Sequence, residues 1–411
     1  MCAPAGNELG LYISVPFCRS KCTYCNFASG VYPASEHKRY VNRTIDDLRA
    51  APAWAERVGA ELPRRVDSVY LGGGTPSLLA PELIAQLFAA MRAEFDFDPA
   101  AEITVECAPG QLAEDTVQAL VTAGVNRISL GVQSFIDREA AVSGRLHNRA
   151  VVLDDITRLR AAGITNLNVD LIAGLAGQSF ASWQESLAAL IGSGVPHASI
   201  YMLEVDRDSR LGREVLAHGA RYHAELVPSD DAIAQMYSMA IDRLSEAGLK
   251  QYEISNFSRP EFYSRHNLRY WQRRPYLGLG LDASSMLRES NDGGSSLNRV
   301  LRATTTDDLQ AYLAGAAPVE TEWLTCAQQH EEAWFLGLRL NTGVEVDALE
   351  SEFGVEMAAS ALEVVNRLVE DGLLVADGKT VRLTPRGRLL SNDVFAEFLS
   401  ASELCTIRVS E

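Results

Sequence analysis

The sequence predicts an open, incomplete parallel α/β barrel followed by a smaller winged-helix-like unit. Three observations predict it. Short β-rich apolar runs alternate with amphipathic stretches at a spacing of roughly 25–40 residues, as βαβ units require. Several of those stretches end in glycine (Ala123-Gly124, Ala162-Gly163, Ser193-Gly194), which suits a left-handed helix C-cap. Past residue 305 the pattern changes to helices followed by a hairpin.

In chain order, strands are expected at residues 11–15, 68–71, 102–107, 127–132, 166–172 and 199–205. Amphipathic helices are expected at 81–94, 114–123, 150–162 and 180–193. Six such units read as a parallel barrel, whose chemistry sits on loops at the C-terminal ends of the strands. A helix over 230–247 follows, then two apolar runs, 251–257 and 276–281, that extend the sheet. A polar, aromatic stretch over 258–275 separates them, and ESNDGGSS at 289–296 reads as a flexible loop. From 305, helical patterns at 328–338, 346–352 and 357–371 precede strands at 373–376 and 381–384, joined by a DGK turn. The expected division is a tail at 1–10, a barrel at 11–300 and the winged-helix-like unit at 305–411.

Bulk composition narrows the function. The 411 residues are 47% hydrophobic and 22% charged, enough for a packed core. A net charge of −17 repels phosphate backbones, so nucleic acid is not an expected partner. The C-terminal unit carries 7 Lys+Arg against 19 Asp+Glu, which favours a lid or docking module over a DNA-binding wing. No stretch approaches the ~18–20 apolar residues of a membrane span. Residues 1–10 lack the charged and apolar regions of a signal peptide. The expected compartment is therefore the reducing cytoplasm, where seven cysteines serve as ligands or buried thiols rather than disulfides.

Three of the seven cluster: Cys18, Cys22 and Cys25, in a C-x3-C-x2-C spacing. Thiolates are soft ligands suited to iron–sulfur clusters. A cubane needs one ligand per iron, so three cysteines leave one iron open to bind a cofactor directly. The amino and carboxylate groups of S-adenosylmethionine can fill that position. Electron transfer to the sulfonium then yields a 5′-deoxyadenosyl radical. The plainer alternatives are a zinc site, which wants four protein ligands, or buried thiols; the next Cys or His is His37.

Polar residues at strand ends accompany the cysteines. Gly72-Gly-Gly-Thr-Pro76 follows an expected strand and lacks the Lys-Ser/Thr of a phosphate loop. It reads either as a cradle for an amino-acid moiety or as a tight turn. Glu106, Gln133 and Asp170 sit in or at the end of apolar runs. Buried there, they need a partner, either a ligand ammonium or hydroxyl or a neighbouring loop. Arg145 is either a bidentate carboxylate clamp or a solvated surface residue.

These residues resemble a known family. Tyr12-Ile-Ser-Val-Pro-Phe-Cys18, Gly72-Gly-Gly-Thr-Pro76, Gly131-Val-Gln-Ser-Phe135 and Asp170-Leu-Ile-Ala-Gly-Leu175 are similar to motifs of the oxygen-independent coproporphyrinogen III oxidases. Within that family the chain resembles the HemW branch, the radical-SAM haem chaperones, from about residue 11 to the C-terminus. The resemblance implies a partial (β/α)6 radical-SAM barrel and a [4Fe-4S] cluster on Cys18, Cys22 and Cys25. It also implies S-adenosylmethionine contacts from Tyr12, Tyr24, Gly73, Gly74, Thr75, Glu106, Gln133, Arg145 and Asp170. The partners it implies are haem and the apo-haem proteins that receive it, such as respiratory enzymes. The alternative is radical decarboxylation of coproporphyrinogen III propionates. Two features favour the chaperone: about ten residues precede the motif where the oxidase has an extension, and Phe27 stands where the oxidase has a fourth cysteine. A third is the run His266-Asn267-Leu268-Arg269-Tyr270-Trp271, similar to the HNxxYW motif of the HemW branch. It implies that His266, Asn267, Tyr270 and Trp271 meet haem; a packed polar loop is the plain alternative. Ser14 replaces the family's usual His, and Ala173 and Ala176 its usual Tyr and Pro. The change at Ser14 alters the cluster's surroundings without removing a ligand.

Overall fold

The structure is a computed structural model and describes residues 8–290, 299–315 and 318–399. Most of the loop expected at 289–296 therefore lies outside the described residues. The strands in chain order are β1 (Leu9–Val15), β2 (Ala60–Glu61), β3 (Arg65–Gly73), β4 (Asp96–Cys107), β5 (Arg127–Gln133), β6 (Asn166–Ala173), β7 (His197–Met202), β8 (Lys250–Gln251), β9 (Asn256–Ser258), β10 (Tyr276–Gly280), β11 (Ser284–Glu289), β12 (Val300–Thr304), β13 (Glu320–Trp323), β14 (Val344–Glu345), β15 (Leu374–Asp377) and β16 (Thr380–Leu383).

The six expected strands, β1, β3, β4, β5, β6 and β7, pair in that order, all parallel. They alternate in a way fully covered parallel strands usually do not. Leu11, Ile13, Val69, Leu71, Ile103, Val105, Ile128, Leu130, Leu167 and Val169 join the main hydrophobic core. Their neighbours Tyr12, Ser68, Tyr70, Thr104, Glu106, Ser129, Asn168 and Asp170 fall on the opposite, inner face. The polar phase is the signature of a barrel lumen.

Helices Pro81–Glu94, Glu114–Thr122, Arg149–Ala161 and Phe180–Ser193 cover the outer face as expected. The helix Ala34–Val58 was not expected. It buries Tyr40, Val41, Ile45, Leu48, Ala51 and Ala55 along one stripe, but its acidic and basic residues and Pro52 break the pattern on the other faces.

The two apolar runs expected to extend the sheet do so at opposite edges. The first splits into β8 and β9, antiparallel beside β7, while the second, β10, pairs parallel with β1. From β10 the sheet continues antiparallel through β11, β12 and β13. The strand path thus runs from β13 to β8 without closing, an open barrel. The chain between the edges carries the helix Arg265–Trp271, which crosses the N-terminal end of the barrel strands.

The C-terminal part has its own sheet, β14-β16-β15, and its own core around Trp334, Val365, Leu368 and Phe398. Helices Cys326–Gly337, Val346–Phe353, Val355–Glu370 and Ser391–Leu399 pack on it. It docks on the barrel through a Glu253–Leu340 bridge and hydrogen bonds from Asn341 and Arg388 to Gln251. Among the described residues no helix is long and apolar enough to cross a membrane.

Candidate functional site

A cavity of about 680 Å³ opens at the C-terminal ends of the strands. Cys18, Cys22 and Cys25 line it, on a loop that follows β1. Neighbouring segments fix that loop. The Cys18 amide donates to Gly30 O (2.9 Å), the Thr23 amide to Ser143 O (3.0 Å) and the Leu211 amide to Thr23 O (2.8 Å). Lys21 Nζ ties the far side by donating to Phe27 O (2.5 Å) and Ser29 O (2.9 Å). Burial pushes the Cys18 thiol up, and the hydroxyls of Ser29 and Thr75 oppose it.

The glycine run is explained first by chain packing. A Cβ on Gly74 would lie 2.7 Å from Phe17 O and 2.8 Å from Val15 O, and Gly73 has a φ of +99°. The Gly74 and Thr75 amides donate to Val15 O and Phe17 O, both at 2.8 Å. The run thus locks the end of β3 against the cysteine loop while Gly73, Gly74 and Thr75 still face the cavity.

Two carboxylates lie on the lumen side. Glu106 accepts from Tyr70 Oη at 2.8 Å. Burial, reinforced by the nearby Asp170 charge, pushes its carboxyl up to about 7, against the pull of Tyr70 and the Gly73 amide. Asp170 accepts from Asn168 Nδ2 (2.7 Å) and Ser129 Oγ (3.2 Å), and burial raises it too. Gln133 adopts a left-handed φ of +71° where the β5–β6 register shifts, and its buried Oε1 has no partner. A strained residue with an unsatisfied acceptor on a cavity wall has the character of a binding group. Arg145 donates to Gly131 O and reaches Cys22 Sγ at 3.7 Å, so it is neither solvated nor free. Tyr24 completes this wall.

Not every expected contact gathers here. Tyr12 does not line the cavity; its ring lies 6.2 Å from Tyr70 and 6.5 Å from His266, deeper in the lumen. The HNLRYW run needs a larger correction. His266 has no exposed surface, and both ring nitrogens are engaged, Nδ1 with Ser68 Oγ (3.0 Å) and Nε2 with Tyr270 Oη (2.9 Å). Glu102 accepts from the His266 and Arg265 amides, both at 3.0 Å, and holds the helix start. Arg269, equally sealed, pairs with Asp67 and donates to Glu8 O and Pro275 O. Trp271 lies under the Arg339 guanidinium, 4.1 Å from its ring centroid. His266, Asn267 and Tyr270 thus belong to a plug over the N-terminal ends of the barrel strands, with no open nitrogen on His266 for a haem iron; Trp271, on the same helix, is not on the cavity wall but stacks on Arg339, which is.

The cavity also has a wall that no motif announced. Arg339, Leu389, Leu390, Ser391, Asn392 and Asp393 reach it from the C-terminal part.

The donor set fits the cofactors its chemistry suggests. Among the described residues no group of His, Cys, Asp or Glu closes round a single metal ion, as a zinc site would require. Three thiols on one wall of a roomy cavity suit a multi-iron cluster, in which each iron takes its own thiolate. The opposite carboxylates and the open Gln133 acceptor suit a ligand carrying an ammonium and hydroxyls.

Residues 12–190 match the Radical SAM superfamily and residues 324–390 the HemN C-terminal domain. The superfamily works with a [4Fe-4S] cluster and S-adenosylmethionine, the groups this donor set fits. The heme chaperone HemW of Lactococcus lactis is 32% identical, the match covering 94% of this chain and 96% of that one. The heme chaperone HemW of Mycobacterium tuberculosis is 34% identical over 96% and 95%. In structure, the coproporphyrinogen III oxidase HemN of Escherichia coli shares the fold, with a TM-score of 0.79 at 22% identity over 97% of this chain and 91% of that one. The protein therefore belongs to the HemW family, as a radical SAM barrel followed by a HemN-type C-terminal domain.

Proposed function

We propose that this protein binds haem and hands it to apo-haem proteins, respiratory haem enzymes among them, in the cytoplasm. In this reading Cys18, Cys22 and Cys25 hold the [4Fe-4S] cluster. Tyr24, Gly73, Gly74, Thr75, Glu106, Gln133, Arg145 and Asp170 hold S-adenosylmethionine. When bound, the cluster supplies the electron that breaks a carbon–sulfur bond of the sulfonium. The chain's own part is to orient that ligand and exclude water. Glu106 and Asp170 take its ammonium and hydroxyls, and Gln133 Oε1 accepts one more hydrogen bond. The lid is the part that follows β13, residues 324–399, because residues 305–323, expected in the C-terminal unit, pack on the barrel core and pair with β12.

One observation carries the cofactor reading: three thiols share a cavity with an unpartnered, strained glutamine and two half-buried carboxylates. The haem reading draws on the names of the relatives and on the cavity mouth. There Phe27 and Leu146 are 63% and 65% exposed, apolar surface that a flat macrocycle would cover. His266 is not part of this proposal. Anaerobic reconstitution followed by haem titration tests it, with a saturable Soret band as the expected result. No saturable binding would remove the chaperone reading. The oxidase alternative draws on fold likeness and lacks the fourth cysteine at Phe27. Conversion of coproporphyrinogen III to product in an anaerobic assay with reductant and S-adenosylmethionine would restore it.

A further inference from the structure

Four Arg and Lys side chains line the cavity, and three of them are accounted for. Lys21 donates to Phe27 O and Ser29 O, Arg145 is held by Gly131 O and Cys22 Sγ, and Arg19 stands out in solvent. Arg339 is the fourth. Its side chain is 24% exposed, and its buried Nε has no hydrogen-bond partner. The nearest anion is Glu253, which has no exposed surface; its Oε2 lies 3.9 Å from the guanidinium, outside hydrogen-bond range. Glu253 Oε1 already accepts from the Ser255 amide at 3.0 Å. Among the described residues the Arg339 guanidinium thus makes no hydrogen bond.

Its surroundings hold it in place without satisfying it. The guanidinium carbon lies 4.1 Å from the centre of the Trp271 ring, a cation–π contact. The backbone is pinned at the seam between the barrel and the C-terminal part, where the Ile254 amide donates to Arg339 O at 3.2 Å beside the Glu253–Leu340 bridge. A structural arginine closes on its carboxylate, as Arg269 does on Asp67. Arg339 instead faces a cavity with its donors open. Apolar groups share that cavity: Tyr237, Ile254 and Leu389 line it, as do Tyr201 and Leu390, which are 42% and 38% exposed. Asp393 lines it too but is exposed, so solvent screens its repulsion. A cation with open donors among apolar groups suits a ligand that is itself divided, an apolar body carrying a carboxylate. A guanidinium takes a carboxylate through two parallel hydrogen bonds. Haem has that form, with propionates on one edge of an apolar macrocycle.

We propose that Arg339 is a carboxylate anchor: held against Trp271 at the seam, it receives a propionate of the tetrapyrrole that enters the cavity. The inference rests on reading the protein as a haem binder and adds the contact that orients the macrocycle. An arginine that serves only to neutralise Glu253 would not distinguish a free propionate from an esterified one. An anchor must.

The test titrates haem and haem dimethyl ester, whose propionates are blocked, into the anaerobically reconstituted full chain in one detergent. Wild type should bind haem about tenfold more tightly than the ester. Arg339→Met should lose that preference by weakening haem about tenfold while leaving the ester within about twofold. Because Arg339→Met strands the buried Glu253, Arg339→Met/Glu253→Gln, which removes both charges, is measured beside it. S-adenosylmethionine binding should be unchanged in both variants. Equal affinity of wild type for haem and ester overturns the proposal, as does an equal loss of both ligands, or of neither, in the variants. So does failure of both variants to fold, or a fall in S-adenosylmethionine binding, which would give Arg339 to the cofactor. If wild type binds neither haem nor its ester, the chaperone reading fails, and coproporphyrin III against its tetramethyl ester then decides on Arg339. A preference for the free acid that Arg339→Met abolishes supports the anchor; no binding, or no preference, overturns it.

Discussion

The two ends of the barrel hold similar residues in opposite states. At the C-terminal end, Gln133 Oε1 and Arg145 Nε are buried without partners, Gln133 is strained, and Glu106 is pushed up to about 7. At the N-terminal end, both nitrogens of His266 and the guanidinium of Arg269 are engaged within a 7-residue helix. Trp271 Nε1 and Arg274 Nε beside the plug are also buried without partners, so what marks the open end is that its orphaned groups line a cavity with the thiols. Sequence alone cannot tell the two ends apart, because a sealed histidine and an open one are spelled alike.

The largest effect expected at the open end is the loss of the cluster. Cys18→Ala, Cys22→Ala or Cys25→Ala should each abolish the ~400 nm absorbance of a cysteine-ligated [4Fe-4S] centre. The fold should survive, because the loop is held by backbone hydrogen bonds that the thiols do not make. Retention of the band in any one variant would unseat that cysteine as a ligand.

At the sealed end the largest expected effect is on stability. Arg269→Met removes one of the two cations on the Asp67 carboxylate, which keeps Arg274, and leaves Glu8 O and Pro275 O short of a donor. Breaking one arm of a buried pair costs about 3–5 kcal/mol, read by urea unfolding. His266→Ala leaves Ser68 Oγ and Tyr270 Oη short of a partner at about 1–3 kcal/mol. The same variant should leave haem affinity within about twofold of wild type, an energy change below RT. Loss of the Soret band with stability intact would break the comparison and return His266 to the haem.

The barrel was legible because its period is: alternating apolar and polar residues inside βαβ spacing announce both the strands and the lumen. The cysteine loop, Glu106, Gln133, Arg145 and Asp170 were legible as motifs and share one cavity. Tyr12 is not on its wall, since it lies on the inner face of β1 below the level of the opening. Two features were hidden for a common reason. The separation of β9 and β10 to opposite edges, and the Arg339 and Asn392 wall, depend on where distant segments meet, which no local pattern encodes. The plug is the clearest case. HNLRYW is legible as a motif, but its partners Asp67, Ser68 and Glu102 come from β3 and β4, roughly 160–200 residues away.

The smallest expected effect is the one most sensitive to the state of the open end. Glu106 is a carboxyl raised by burial to about 7, so at neutral pH it is poised rather than fully ionised. Only the ionised form attracts a ligand ammonium, so S-adenosylmethionine binding should weaken as the pH falls through about 7. Glu106→Gln keeps the size and one acceptor oxygen but cannot titrate. It should cost about tenfold in affinity at alkaline pH, near 1.4 kcal/mol, and should flatten the part of the acid limb centred near 7. The Asp170 limb would remain. If Glu106→Gln instead left the whole pH profile in place, the titrating group would lie elsewhere. The contrast between an end poised around a cavity and an end packed without one would then have to rest on Gln133 and Arg145 alone.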